Sequence, residues 1–215
     1  MSNGRELVFG ASGYVGSHLV PYLLRLGRVV RASSRNPEVL EARAWDGVEL
    51  VRADALDPAT LDVALDGVDT AYYLVHSMAA GKSFPELDAK AAANFAEAAA
   101  RNGVRRIVYL GGLLPQNPRS VHLRSRQETG DVLRDGQVEV SEIRAGMIIG
   151  PGSAAWEVIR DLVNNLPVMV TPRWVFSRST PIALDNLLHY LANVSALDQA
   201  ANATYDVGGP DVLTY

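Results

Sequence analysis

Six short apolar runs, at 6–10, 28–33, 48–52, 69–75, 104–110 and 138–144, place the strongest constraint on how this chain folds. Each is rich in Val, Ile, Leu or Tyr, and several have almost no polar break. A strand with one wet face alternates polar and apolar residues, whereas a near-continuous apolar strand is buried on both faces, as in a parallel sheet. Between the runs lie segments with helical spacing. In 14–27, Val15, Leu19, Leu23 and Leu26 share one face, and Pro21 inside the pattern removes a backbone donor and is expected to bend the helix. In 58–65, Pro58 takes the first helical position and Asp57 is the expected N-cap. The alanine-rich 84–102 carries Leu87, Ala91, Phe95 and Ala98 as its stripe, and 120–135 is more polar. Gly27, Gly67, Gly103 and Gly136 fall near helix ends, where a left-handed cap is needed. The alternation predicts an α/β fold, a doubly wound parallel sheet built from residues 1–145.

After residue 145 the rhythm changes. Segments 154–166 and 183–195 read as helices, GMIIGPGS as a loop, and PVMVTPRWVFSRSTP as irregular. Residues 146–215 are expected to form a small C-terminal substrate cap over the carboxyl ends of the strands. Trp156, Trp174 and Phe176 belong to this part, with core packing their expected use ahead of lining a substrate pocket. The final YDVGGPDVLTY reads as a strand, a turn and the start of a further element, so the chain is expected to be truncated at its C-terminus.

The residue inventory removes several chemistries. With no cysteine among 215 residues, disulfides, thiolate metal sites and cysteine nucleophiles are excluded together. No pair of histidines or carboxylates has metal-ligand spacing, so no metal is expected. A net charge of -4 argues against nucleic-acid binding. There is no apolar run of about 18 residues to cross a membrane. The start, MSNGRELVFG, leaves no room for a signal peptide before the first strand, which points to a cytoplasmic protein. Nothing in the sequence bears on oligomeric state.

One loop points to a ligand. In LVFGASGYVGSHL, residues 7–19, an apolar strand meets Gly10, Gly13 and Gly16 and passes at once into a helix. A pyrophosphate needs backbone N–H groups aimed at it and no side chain in the way, and a helix N-terminus supplies orphan donors and a partial positive charge. Gly10 suits the turn, Gly13 the close approach and Gly16 the packing of helix on strand, and Ser12 adds a hydroxyl. The second strand ends in RASSRNP, with Ser33, Ser34 and Arg35 where a site for NAD usually places an acid. A guanidinium grips a 2′-phosphate that an acid would repel, so NADP(H) is expected ahead of NAD(H). In RADALD, Asp54 is placed to accept from an adenine amino group with Ala55 packed beside it, or else simply opens the next helix.

The order GASGYVG, SSR, RADALD and LVHS resembles the extended and atypical short-chain dehydrogenase/reductase superfamily, most nearly its NmrA-like NAD(P)-binding proteins and nucleoside-diphosphate-sugar epimerase relatives. IRAGMIIGPGS at 143–153 is similar to the family's segment after the sixth strand, with Ala145 where proline is common, and PIALDNLLHYL resembles its later helix. The resemblance implies a Rossmann-like fold with the dinucleotide at the carboxyl ends of the strands, touching Gly10, Ser12, Gly13, Tyr14, Val15, Arg35, Asp54, Ala55, Leu74, Val75 and His76. A small-molecule carbonyl or a sugar nucleotide is the implied substrate class.

Active members of that superfamily pair a Tyr and a Lys four residues apart on one helix face with a Ser or Thr from the end of the fifth strand. The lysine lowers the tyrosine pKa so that it exchanges a proton with the substrate oxygen. Here the fifth strand ends RRIVYLGGLLP, with Gly111 and Gly112 at the hydroxyl position, and His122 and Arg126 fill the helical spacing. Two readings follow. In one, the chain is an oxidoreductase in which His122 exchanges the proton, since an ordinary imidazole titrates near neutrality, while Arg126 holds ribose and phosphates. In the other, the site only binds, as in an NmrA-like redox sensor that signals through a partner. His76 is a further candidate at the end of the fourth strand, whereas His18 and His189 read as structural.

Overall fold

The computed structural model describes residues 4–76, 84–115, 120–165 and 176–214. Six strands lie where the apolar runs placed them: β1 (Arg5–Phe9), β2 (Val29–Ser34), β3 (Glu49–Arg52), β4 (Val68–Tyr73), β5 (Arg106–Gly112) and β6 (Glu139–Ala145). The helices α1 (Tyr14–Arg25), α2 (Glu38–Glu41), α3 (Pro58–Leu65), α4 (Phe84–Arg101) and α5 (Val121–Arg134) connect them. The C-terminal part adds β7 (Ile148–Ile149), α6 (Ala154–Asn165), β8 (Arg178–Ser179), β9 (Ile182–Ala183), α7 (Leu184–Val194), β10 (Ala203–Val207) and β11 (Leu213–Thr214).

Seven of these strands form one parallel sheet in the order β10-β6-β5-β4-β1-β2-β3. This is the doubly wound Rossmann-like arrangement that the alternation of elements predicted. Its order reverses between β1 and β4, the switch point at which such sheets open a crevice beyond their carboxyl ends. β10 extends the sheet by pairing with β6, so residues beyond 145 complete the sheet edge. The short pairs β7·β9 and β8·β11 lie outside it.

Both faces of the sheet are covered, which explains the unbroken apolar strands. On one face α3, α4 and α5 bury Leu61, Phe95 and Leu133 against Leu7, Tyr73, Ile107 and Val140. On the other, α1 and α7 bury Leu19, Leu23, Leu187 and Leu191 against Val8, Tyr72, Val108 and Ile143. Phe9, Tyr73 and Phe95 meet with ring centroids 4.9–5.6 Å apart, and Tyr109 continues the cluster 6.0 Å from Tyr73. These rings fix the spacing of β1, β4 and β5 against α4.

Several local expectations change in three dimensions. Pro21 lies inside α1. Gly27, Gly67 and Gly103 adopt the left-handed backbone expected of helix caps, but Gly136 does not. A Cβ on Gly136 would stand 3.0 Å from the Ala96 methyl, so that glycine serves the close approach of α5 to α4. Asp57 is the N-cap residue of α3, with Pro58 following, yet its side chain makes no capping bond. The Thr60 hydroxyl instead reaches the Asp57 carbonyl at 2.7 Å, and the Asp57 carboxylate faces Arg52 at 3.9 Å. Phe176, expected to pack, is 72% exposed; Trp156 is partly buried, and Trp174 lies outside the described residues. No helix among the described residues is long and apolar enough to cross a membrane.

The aromatic cluster yields a stability prediction. Phe95→Ala leaves a void beneath Phe9 and Tyr73 and costs about 3–5 kcal/mol. A urea titration checks this as a large fall in the unfolding midpoint with the slope unchanged.

Candidate functional site

A cleft of about 650 Å³ opens at the carboxyl ends of β1, β2 and β4. The β1–α1 loop forms its near wall. Gly10 has φ +96°, and a Cβ there would stand 2.8 Å from Val75 Cγ1 and 3.3 Å from the Leu74 carbonyl. Gly13 donates its N–H to the Gly10 carbonyl at 3.0 Å, which closes the turn. At Gly16 a Cβ would collide with the Gly10 carbonyl oxygen at 2.4 Å and with Ala11 Cα at 2.8 Å. The three glycines therefore bring the first turn of α1 onto the end of β1, closer than any side chain permits.

The N-terminus of α1 has no side-chain cap and no acidic residue in its first turn. Its first N–H groups are left for solvent or an anion. The side chains of Tyr14 and Val15 turn away from the cleft into the α1/α7 core, so each offers the site only backbone. The Tyr14 hydroxyl is buried beside Gly150, where a Cβ would stand 2.7 Å from it, and Tyr14 packs edge-on to His18 at 5.1 Å.

The loop after β2 forms the second wall. The Ser34 hydroxyl lies 3.4 Å from that of Ser12 and accepts from the Asn36 N–H at 3.3 Å, tying the two loops together. Arg35 is exposed and lines the cleft. Among the described residues no carboxylate lies within ion-pair distance of it. Asp54 and Ala55 line the same space. The Asp54 Oδ1 accepts from the Leu56 N–H at 2.9 Å, and its own N–H donates to Thr60 Oγ1 at 2.9 Å. The Asn94 amide holds the Ala55 carbonyl at 2.8 Å. Asp54 is thus a turn residue whose loop is pinned from α3 and α4.

At the far end stand Leu74, Val75 and His76, the last described residues after β4; Ser77 of the LVHS motif lies outside them. The His76 side chain is 13% exposed, and its Nδ1 lies 4.0 Å from Asp88 Oδ2. That is too long for a hydrogen bond. Neither ring nitrogen makes a well-formed hydrogen bond among the described residues, though a backbone contact with Leu110 favours the charged ring. Burial, aided by the Arg126 guanidinium and opposed by Asp88, lowers the His76 pKa to about 4. Asp88 is buried and accepts from the Ser125 hydroxyl at 3.0 Å. The Tyr109 hydroxyl donates to the Arg126 backbone carbonyl at 2.8 Å.

The tertiary structure therefore gathers Gly10, Ser12, Gly13, Ser34, Arg35, Asp54, Ala55, Leu74, Val75 and His76 around one cleft. Gly16 lies beneath its wall. Arg126 approaches Gly112 at the end of β5. His122 is exposed in the first turn of α5 and does not line the cleft. Asp88 is an addition to the sequence reading. A signal for Asp88 exists: it sits three and seven residues before Ala91 and Phe95, so a carboxylate falls on the buried stripe of α4. Ser125 falls one residue out of phase with the His122–Arg126 spacing, and it is the buried one.

The cradle fits a dinucleotide: an uncapped helix end, glycines that keep side chains away, and a cleft of suitable size. A family model described as NAD(P)H-binding matches residues 10–147. The chain belongs to the NAD(P)H-binding family. This family domain is 31% identical over 217 residues to the (4-alkanoyl-5-oxo-2,5-dihydrofuran-3-yl)methyl phosphate reductase of Streptomyces griseus, a match spanning 97% of the chain and 69% of that relative. It spans 31% to 54% of the length of four other curated relatives. Its fold is that of the dTDP-glucose 4,6-dehydratase DesIV from Streptomyces venezuelae, solved with NAD, at a TM-score of 0.82 and 21% identity over 98% of this chain and 77% of that one. The Citrobacter sp. triphenylmethane reductase complexed with NADP(H) matches at 0.79 and 20% identity, over 98% and 72%. A nicotinamide dinucleotide is the ligand of this NAD(P)H-binding, oxidoreductase-like domain.

His76 makes stability depend on pH. Its pKa is 6.5 ordinarily and about 4 in the fold, so between these values the unfolded chain binds the extra proton and folding stability falls as pH drops. The contribution is roughly 2–3 kcal/mol by pH 4. Urea midpoints measured from pH 7 to pH 4.5 fall less steeply for His76→Gln than for the parent chain.

Proposed function

We propose that this chain is an NADPH-dependent oxidoreductase acting on a small carbonyl or sugar-nucleotide substrate. The observation that carries the cofactor preference is Arg35, exposed at the cleft beside Ser34 at the end of β2, where no acid stands to receive a ribose hydroxyl. In this reading the pyrophosphate rests on the backbone of Gly10, Ser12, Gly13, Tyr14 and Val15, with Gly16 beneath. Ser34 and Arg35 take the 2′-phosphate, Asp54 and Ala55 flank the adenine, and Leu74, Val75 and His76 run beneath the nicotinamide ribose, with Arg126 beyond. A bound nicotinamide supplies a hydride, and the protein's part is to hold the substrate and deliver or remove one proton. His122, one turn before Arg126, is the proposed proton carrier. His76, neutral at pH 7, offers a hydrogen bond rather than a proton.

The enzymatic reading is preferred to a sensor that only binds because the relative matched over 97% of the chain is a reductase. Residues 1–145 are proposed as the dinucleotide-binding part and 146–215 as the cap that shapes the substrate's side. The matched relative acts on a substrate bearing a phosphate and a butenolide carbonyl system, which suggests the kind of panel to assay.

Calorimetry tests the cofactor first. NADPH is expected to bind tighter than NADH, and Arg35→Gln to weaken NADPH about tenfold while sparing NADH. Equal affinities, or tighter NADH, would sink the Arg35 argument. For catalysis, His122→Ala is expected to lower NADPH turnover about 100-fold or more with cofactor affinity unchanged. Turnover that survives the substitution removes His122 from the chemistry.

A further inference from the structure

Beyond the His76 end of the cleft lies a cation that makes no ion pair among the described residues. Other arginines withdrawn from solvent are each paired: Arg31 with Glu49, Arg106 with Glu139, and Arg134 and Arg144 with Glu142. Arg126 is partly buried, yet its guanidinium makes no ion pair or hydrogen bond among the described residues. It occupies a definite place. Its Nη1 is 3.2 Å, and its Cδ 3.4 Å, from the point where a Cβ on Gly112 would stand. The superfamily's hydroxyl residue is thus replaced by a glycine whose side-chain space an arginine approaches.

The position separates this cation from the cofactor's phosphates. Gly112 ends β5, and the pyrophosphate loop follows β1, two strands away in the sheet. Two strand spacings amount to about 10 Å. Between them, at the end of β4, stands His76, its imidazole neutral at pH 7, with the Leu110 backbone and the Asp88 carboxylate as its polar neighbours. Whichever tautomer it adopts, a neutral imidazole presents one N–H donor. Asp88 is the opposing charge at this end. Its carboxylate is buried, accepts from Ser125, and makes no ion pair with Arg126.

We propose that Arg126, with His76 beside it, forms a subsite for an anionic group of the substrate, a carboxylate or a phosphate, at the nicotinamide end of the cleft. A guanidinium takes either group through two parallel N–H···O bonds, and partial burial strengthens the pairing. The subsite selects acidic substrates and orients them by their charged end, leaving the reacting carbon to be placed by the rest of the cleft. The proposal rests on the dinucleotide reading of the cleft.

The test is a titration of the chain saturated with NADP+ at constant ionic strength, with inorganic phosphate in one arm and malonate in the other. At least one anion is expected to bind with a millimolar dissociation constant; the arm that binds tighter identifies the group. Arg126→Gln is expected to weaken that binding about tenfold, and Arg126→Lys to recover part of it. Tyr109 bonds the backbone of residue 126, so the melting temperature should be little changed. The proposal is overturned if neither anion binds the parent chain, or if Arg126→Gln weakens NADP+ and leaves the anion unaffected. Failure of NADP+ to bind at all would instead defeat the cofactor reading, and the same titration on the cofactor-free chain would still judge Arg126.

Discussion

The approach of α1 to the end of β1 is the contact on which the rest depends. With a hydrogen atom at Gly16, the helix lies against the Gly10 carbonyl; with a methyl, that oxygen would be 2.4 Å from carbon. The contact aims the uncapped end of α1 at the cleft and lets Leu19 and Leu23 reach the core shared with α7. The left-handed turn at Gly10 and the placement of Val75 above it follow from the same geometry. A side chain at either glycine would lift the helix from the loop and lose packing and anion cradle together.

Across the sheet, the site's two ends obey different electrostatics. At the β1 and β2 end, backbone dipoles and the exposed Arg35 face open water, so attraction there is screened. At the β4 and β5 end the groups are withdrawn from solvent. His76 is driven neutral, Asp88 is held by Ser125, and the Arg126 guanidinium makes no ion pair among the described residues. The first end recognises a ligand that members of this family share. The second sets a guanidinium, a buried carboxylate and a neutral imidazole close together.

A hydroxyl residue at 112 would crowd an arginine at 126, since even a bare Cβ comes within 3.2 Å of Nη1. Glycine at one position and arginine at the other are parts of one arrangement, with the Tyr109 hydroxyl clamping the α5 backbone so that the guanidinium meets the strand end.

Much of this was legible in residue order. The strands fall within two residues of their apolar runs, because burial on both faces demands unbroken apolar sequence. The loop glycines declare themselves because left-handed backbone and close approach are local requirements. Arg35 and Asp54 were readable as strand-end residues next to that loop. Other features were settled by contacts in three dimensions. Asp57 precedes a helix as an N-cap should, yet its carboxylate makes no capping bond and lies 3.9 Å from Arg52, while the Thr60 hydroxyl donates to the Asp57 carbonyl. Asp88 and Ser125 are 37 residues apart on different helices, and only the packing of α4 against α5 brings a carboxylate to a hydroxyl there. The sequence by itself determined the parallel sheet, the glycine cradle and the absence of thiol chemistry, because each depends on residue type and short-range spacing. Tertiary structure alone decided which charges survive at the far end of the cleft, because burial and counter-ions are supplied by residues distant in the chain.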